Sequence, residues 1–350
     1  MCVVDYVASA DIGWGIAKYT WYLLKHLKEI AKEEGIEIVE ISHGLVPQNF
    51  LRRELRKLLF INKIRRHRAH LYHAISPTLA LPLLALGRRP CIVTVHDLNF
   101  LYHERKQVQL LSEFAYHKYV CEKCDDIIVI GNFWKDVLTR KMGITRKKIH
   151  VVYHGVDHDR FKPLPLKINK NEKRILFVRV RTHLPIKRRG IKLVLKAFKI
   201  VNDEIKNVKL LLLGKVDDTY VNALVRKFGI DKSRVKLLGF ISEEKLPITY
   251  NMCDVIVNPP FDEFSLMILE GMACGVPIIA SKHFEIPEYV DDAGILIDRM
   301  NVERLAEAIL KVLTDDNLRE SLIKKSLNRS RLFNWKKCAF NTFKIYEKHF

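Results

Sequence analysis

The feature that most constrains this chain is a pattern that occurs twice: short runs rich in Val, Ile and Leu alternate with longer segments of helical periodicity. The first series predicts strands at Val3–Ala8, Ile36–Ile41, Leu71–His73, Cys91–Val95, Ile127–Ile130 and His150–Val152. The second predicts them at Arg174–Val180, Lys209–Leu213, Val235–Leu237, Val255–Asn258, Pro277–Ala280 and Ile295–Ile297. Helical patterns such as Tyr19–Glu34, Lys192–Asn202, Tyr220–Phe228 and Val302–Thr314 lie between them. Strands separated by helices pair in parallel, and the helices cover both faces of the sheet. Phe161-Lys162-Pro163-Leu164-Pro165 breaks the alternation and reads as a linker. The expectation is an α/β chain with two Rossmann-like domains, residues 1–160 and 161–330. Residues 331–350 are expected to form a helix that packs back on the N-terminal domain.

With 350 residues, 48% of them hydrophobic, the chain has material for two cores. No apolar run approaches the ~20 residues of a membrane span, and Leu79–Leu86 is broken by Pro82. The start, Met-Cys-Val-Val-Asp-Tyr-Val, reads as a strand and not as a basic then apolar leader, so a cytoplasmic protein is expected. The net charge of +20 attracts anions: nucleotide phosphates, anionic lipid or nucleic acid. Aromatic residues do not interleave the basic runs and no nucleic-acid module is recognisable, so nucleic acid is not an expected partner. Seven scattered cysteines do not form a secreted disulfide framework, and Cys121-x-x-Cys124 lacks the second pair of a zinc site. His67, His70 and His73 are spaced by three, but read as separate surface and cleft histidines, with His73 past a strand.

Three segments stand where active-site groups sit, beyond the carboxyl ends of parallel strands. Gly13-Trp14-Gly15-Ile16-Ala17-Lys18-Tyr19 follows the first strand and opens a helix, where backbone N–H groups favour a phosphate. It lacks the third glycine of a dinucleotide fingerprint, so a simple tight turn stays open. His96-Asp97 follows a buried strand and is either a cleft-lining or a capping pair. The third segment runs from Asn258 to Pro277: a strand end, a loop with Asp262 and Glu263, and a helix beginning near Phe264. Helix-start N–H groups there suit a diphosphate. Glu270 lies two turns on, among Met267, Ile268, Leu269 and Met272, where a carboxylate needs a partner.

In this order the motifs resemble the retaining family 4 glycosyltransferases of the GT-B fold. Gly15–Tyr19 is similar to the N-terminal glycine loop, and Thr94-Val95-His96-Asp97-Leu98 to the His-Asp segment. Val152–Asp157 with Phe161 and Pro163 resembles the "NGVD…F-P" crossover, and Lys187-Arg188-Arg189-Gly190 the "RKG" element. Asp262 to Glu270 resembles the paired-acid motif; Cys274-Gly275-Val276-Pro277, Pro287-Glu288 and Ala293-Gly294 continue the pattern. Four departures stand out: Asp262 replaces the usual Glu, Arg179 stands for a glycine, Glu263 and Ser265 replace glycines, and His154 replaces Asn.

The resemblance implies two Rossmann-like domains facing each other across a cleft, and transfer of a hexose from a nucleotide-diphosphate sugar to a hydroxyl with retention. Glu270 would bind the donor ribose, and Asp262 a hydroxyl of the transferred sugar. Main-chain N–H groups near Phe264, Ser265 and Leu266 would hold sugar and phosphate. Arg179 or Arg181, with Lys187 or Arg189, would neutralise the leaving diphosphate. Gly15 would reach the phosphate from the other domain; His96, with Asp97 beside it, would touch the sugar and organise the acceptor side. No enzymatic nucleophile is named, no cofactor is needed beyond the sugar nucleotide, and no D-x-D metal motif is present, Asp5 and Asp11 being too far apart. Domain closure is expected.

Between Asn49 and His70, Arg52, Arg53, Arg56, Lys57, Lys63, Arg65, Arg66 and Arg68 face one acid, Glu54, while Leu51, Leu55, Leu58 and Leu59 recur at helical spacing. This is a basic amphipathic helix, either an ordinary surface helix or a dock for anionic membrane or an acidic acceptor, with lipid-linked, glycan or protein acceptors all open. The other class of reading is a catalytically inactive glycosyltransferase-like protein that binds nucleic acid or a protein partner.

Overall fold

The computed structural model describes residues 1–5, 15–43, 59–102, 107–166, 171–178, 187–214, 217–258, 266–298 and 300–350. They form two compact units, Met1–His154 with Trp335–Phe350, and Gly155–Asn334. The sequence break suggested a boundary after residue 160, but the first crossing follows His154, whose ring packs against Tyr19 and Trp335 of the first unit. The second crossing follows Asn334 and not residue 330, because Asn334 bridges to Val156 in the second unit.

In the first unit the strands are β1 Cys2–Asp5, β2 Val39–Ser42, β3 Tyr72–Ala74, β4 Cys91–Val95, β5 Asp126–Val129 and β6 Ile149–Val151. They pair in parallel in the order β2-β1-β3-β4-β5-β6. The helices are α1 Gly15–Glu33, α2 within 59–66, α3 Pro77–Ala85, α4 Gln107–Lys123 and α5 Asn132–Met142. Pro82, read in the sequence as a break in the apolar run, sits inside α3. All residues of β3, β4 and β5 are buried, as strands covered on both faces must be.

The second unit holds β7 Lys173–Val178, β8 Val208–Leu213, β9 Val235–Gly239, β10 Val255–Asn258, β11 Ile278–Ser281 and β12 Gly294–Ile297, all parallel in the order β12-β11-β10-β7-β8-β9. Its helices are α6 Lys187–Glu204, α7 Asp218–Lys227, α8 Leu246–Asn251, α9 Leu266–Ala273, α10 Ile286–Val290, α11 Val302–Thr314 and α12 Asp316–Ser330. One core joins Ile175 and Phe177 of β7 to Leu195 and Phe198 of α6 and Leu305, Ile309 and Val312 of α11. On the other face α9 lies close against β10 and β11. A Cβ on Gly271 would collide with the Ile256 side chain and come within 3.2 Å of Ile278. Gly275, at φ 74, then turns the chain from α9 toward β11 in a conformation that favours glycine.

The last helix, α13 Trp335–Tyr346, belongs to the first unit and packs on α1. Its Trp335 ring stacks on Tyr22 at 5.0 Å with an interplanar angle of 2°. At its far end the Tyr346 hydroxyl meets His73 Nδ1 at 2.6 Å, while His73 Nε2 lies 2.8 Å from Thr94 Oγ1. His73 lies inside β3 and is fully buried, as the predicted strand Leu71–His73 has it and not past a strand, the other placement its spacing suggested.

Candidate functional site

In the second unit the sequence order of strands reverses between β10 and β7: β7, β8 and β9 run one way and β10, β11 and β12 the other. In open parallel sheets such a reversal opens a crevice at the carboxyl ends, because the two following helices leave on opposite faces. β10 and β7 are in register, Val257 beside Phe177. The two segments carrying the predicted phosphate and sugar contacts thus leave the sheet from adjacent strands: 179–186 after β7, 259–265 after β10. Arg179, Arg181, Asp262, Phe264 and Ser265 lie outside the described residues. Lys187 and Arg189 occupy the first turn of α6, directly after the β7 loop, and Leu266 opens α9 after the β10 loop.

Glu270, the fifth residue of α9, is 3% exposed. Its partner is Tyr250 of α8, also buried, whose hydroxyl donates to Glu270 Oε2 over 2.8 Å. Burial first, and the adjacent carboxylate second, push the Tyr250 phenol well above its ordinary value, so it stays protonated and remains a donor. Sequence reading supplied Glu270 but not Tyr250, which lies twenty positions earlier with no motif around it. Asn258 was read only as a strand end. Its side chain is buried and its amide nitrogen has no hydrogen-bond partner among the described residues. Ile256 reaches Gly271, so the alternation of a strand puts Asn258 on the same face, toward α9. An unpartnered buried N–H at the strand end of a switch point suits a ligand oxygen.

In the first unit Gly15 opens α1 after β1, next to the reversal between β1 and β3. Among the described residues, a Cβ at Gly15 would meet nothing within 4 Å. His96 follows β4. Its Nε2 donates to the Ile75 carbonyl at 3.1 Å, which fixes the tautomer and leaves Nδ1 as an acceptor. Desolvation lowers the His96 pKa to about 4, so the ring is neutral near pH 7. Asp97 Oδ1 accepts the Asn99 backbone N–H at 3.0 Å, a turn-capping bond. The sequence missed the rings gathered around His96: Tyr19 edge-on at 4.8 Å and His154 at 5.6 Å. His154, placed in the crossover motif by sequence alone, is fully enclosed and desolvation keeps it neutral well below its ordinary pKa.

Among the described residues no group of three His, Cys, Asp or Glu side chains could hold a metal ion. Cys121 and Cys124 are free, buried thiols, and burial pushes Cys121 up to about 12. Cys124 Sγ lies 3.9 Å from Cys91 Sγ. Arg52, Arg53, Arg56 and Lys57 fall outside the described residues. The described end of that segment, 59–66, buries Phe60 and Ile64 and exposes Lys63, Arg65 and Arg66.

Two parallel α/β units, each with chemistry-bearing residues at the carboxyl ends of its strands, define the architecture of GT-B glycosyltransferases. The sequence profile of "Glycosyl transferases group 1" matches residues 160–329, and that of "Glycosyltransferase Family 4" matches residues 20–160. The chain belongs to the family 4 glycosyltransferases of the GT-B fold. It is 26% identical to O-antigen chain mannosyltransferase B of Escherichia coli, over 95% of this chain and 96% of that protein. Its fold is like that of sucrose-phosphate synthase from Thermosynechococcus elongatus, with a TM-score of 0.82 at 20% identity, covering 99% of this chain and 98% of that one. It is also like that of HepE from Anabaena, solved with UDP and glucose, with a TM-score of 0.76 at 16% identity over 99% and 98% of the chains.

Proposed function

We propose that this glycosyltransferase moves a hexose from a nucleotide-diphosphate sugar to a hydroxyl acceptor with retention of configuration and without a metal ion. The observation that carries the reading is the switch point of the second unit, where the Arg179–Arg189 segment and the Asp262–Glu270 segment leave adjacent strands. Anion-stabilising charge and sugar-binding carboxylates then serve one ligand. HepE, solved with UDP and glucose, shares the fold, and the E. coli relative is a mannosyltransferase, which supports a sugar nucleotide as donor.

In this reading Glu270 accepts hydrogen bonds from the donor ribose, oriented by Tyr250, and Asp262 holds a hydroxyl of the sugar. Leu266 opens α9, where the helix dipole favours the phosphates, and backbone N–H groups of Phe264, Ser265 and Leu266 would hold sugar and phosphate. Arg179 or Arg181, with Lys187 or Arg189, meets the charge that grows on the diphosphate as its bond to the anomeric carbon breaks. The acceptor oxygen bonds to that carbon on the same face, and its proton passes to the departing phosphate oxygen. Gly15 leaves room for the phosphate, and neutral His96 offers a hydrogen bond to the sugar without placing a positive charge beside the developing cation. The acceptor is lipid-linked, glycan or protein, and the basic segment at Arg52–Lys57 docks it or an anionic membrane surface, which places the enzyme at the cytoplasmic face.

Incubation with UDP, GDP and ADP sugars should release free nucleotide from one of them. Glu270→Ala should weaken nucleotide binding by about 1.5–3 kcal/mol, the loss of a hydrogen-bonded charge. Release from none of the panel, or unchanged nucleotide binding in folded Glu270→Ala, would sink the assignment.

A further inference from the structure

Asn99 carries two buried polar atoms that the fold does not use. It opens the short 3-10 turn Asn99–Leu101, three residues beyond His96 at the carboxyl end of β4, and is 4% exposed. Its main chain is satisfied: the N–H donates to Asp97 Oδ1, and the carbonyl accepts the Tyr102 N–H at 2.9 Å. Its side chain is not. Among the described residues, neither Nδ2 nor Oδ1 of the carboxamide has a hydrogen-bond partner. A buried amide left unpaired at both atoms is costly to fold and calls for a partner from outside the chain. A carboxamide sets a donor and an acceptor side by side, and a hydroxyl group is both at once.

The rings beside it decide the kind of partner. Asn99 is one end of its turn and Tyr102 the other. The Tyr102 ring, 40% exposed, has Lys141 Nζ over it at 4.3 Å. It lies 6.0 Å from the ring of Phe133 and 6.4 Å from that of Trp134, both in the first turn of α5, where the chain has left β5. Half-buried Phe133 is steadied edge-on by fully buried Trp134 at 4.9 Å. The carboxyl ends of two paired strands, β4 and β5, thus bring together one amide and two partly exposed aromatic rings. A pyranose divides in the same way: hydroxyls around its rim, and on its face C–H bonds that settle on the electron-rich face of an aromatic ring. A lipid chain would leave the amide unpaired. A serine or threonine side chain supplies the hydroxyl but no ring face for the aromatic pair.

We infer that this is the acceptor subsite and that the group it takes is a sugar ring: the pyranose lies against Tyr102 and Phe133 while the Asn99 carboxamide reads one of its hydroxyls. This rests on the glycosyl-transfer reading and narrows its acceptor to a carbohydrate, yet sugar binding is read without turnover, so the two fail separately. The test is saturation-transfer NMR on the full chain, irradiating aromatic protons. The probes are the methyl α-pyranosides of glucose, mannose, galactose and N-acetylglucosamine, with glycerol and a serine peptide as controls. At least one pyranoside should receive saturation on its ring C–H protons, and neither control should. Asn99→Leu, close in size but without polar atoms, should weaken binding of that sugar about tenfold or more. Its thermal midpoint should stay or rise, because an unpaired buried amide has been removed. Tyr102→Ala and Phe133→Ala should each weaken binding roughly threefold to tenfold. In turnover the same pyranoside should raise nucleotide release, and Asn99→Leu should raise its KM with nucleotide affinity unchanged. Binding of a sugar by a chain that releases nucleotide from no donor would support the subsite and fail the glycosyl-transfer reading. No bound pyranoside, or Asn99→Leu binding like the parent, overturns the inference. So does a lower thermal midpoint in Asn99→Leu, which would make Asn99 a structural residue, or a serine peptide whose binding Tyr102→Ala abolishes.

Discussion

Acidification should unfold the first unit well before the second, and the size of the effect follows from its enclosed histidines. Burial, with a further push from His96, lowers His73 to about 3; desolvation lowers His96 to about 4 and His154 well below its usual value. An unfolded histidine takes up its proton near pH 6.5. Between pH 6.5 and about 4 the unfolded chain therefore holds more protons than the native one, and stability must fall as pH falls. Above 6.5 the three groups contribute no slope. At pH 5 His73 and His96 each cost about 2 kcal/mol, a figure that hardly depends on the exact folded value once that value is below pH 4.5, and enclosed His154 acts in the same direction. The first two alone make about 4 kcal/mol, near the lower end of the whole stability of an ordinary domain, ~5–15 kcal/mol. The assay is specific, since the four tryptophans, Trp14, Trp21, Trp134 and Trp335, all belong to the first unit. Urea unfolding followed by their fluorescence at pH 7 and pH 5 gives the difference. His73→Gln can still hydrogen-bond Tyr346 and Thr94 but cannot titrate, so its loss between the two pH values should be smaller by about 2 kcal/mol. If variant and parent lose the same stability, His73 is not held neutral and the reasoning fails.

Tyr250→Phe removes the donor to a buried carboxylate and should destabilise the second unit by about 1.5–3 kcal/mol, lowering its calorimetric transition by roughly 3–12 °C; an unmoved transition would show the bond contributes nothing. Gly271→Ala forces a methyl group into Ile256 and Ile278 and should cost about 1–3 kcal/mol by denaturant midpoint, with a cost near zero showing that α9 can lift off the sheet. If the Arg and Lys residues of the Arg179–Arg189 segment neutralise the leaving group as proposed, turnover should persist in excess EDTA; loss of activity restored by Mg²⁺ or Mn²⁺ would refute metal independence.

Much of the fold was legible because β-strands buried on both faces write themselves as runs of Val, Ile and Leu. The run at Cys91–Val95 became β4 without a shift, and Val255–Asn258 became β10. Glu270 was legible for a related reason: a carboxylate inside an apolar helical pattern demands a partner. What that partner is was not legible, because Tyr250 has the composition of any core tyrosine. His73, although inside the predicted strand Leu71–His73, was also read as lying past a strand; only the folded sheet shows it within β3 and bonded to Tyr346, 273 positions away.

By itself, the sequence determined the repeating β–α units, the family motifs in their order, and the positions along the chain where segments leave the carboxyl ends of the strands. These are local properties, set by side-chain periodicity over a few residues and by backbone groups freed at strand and helix ends. The tertiary structure alone decided which strands lie side by side, which carboxylate has a phenol against it, and that the last helix returns to stack Trp335 on Tyr22. Such contacts form between residues far apart in the chain once chain-closure entropy has been overcome by burial, and no local pattern records them.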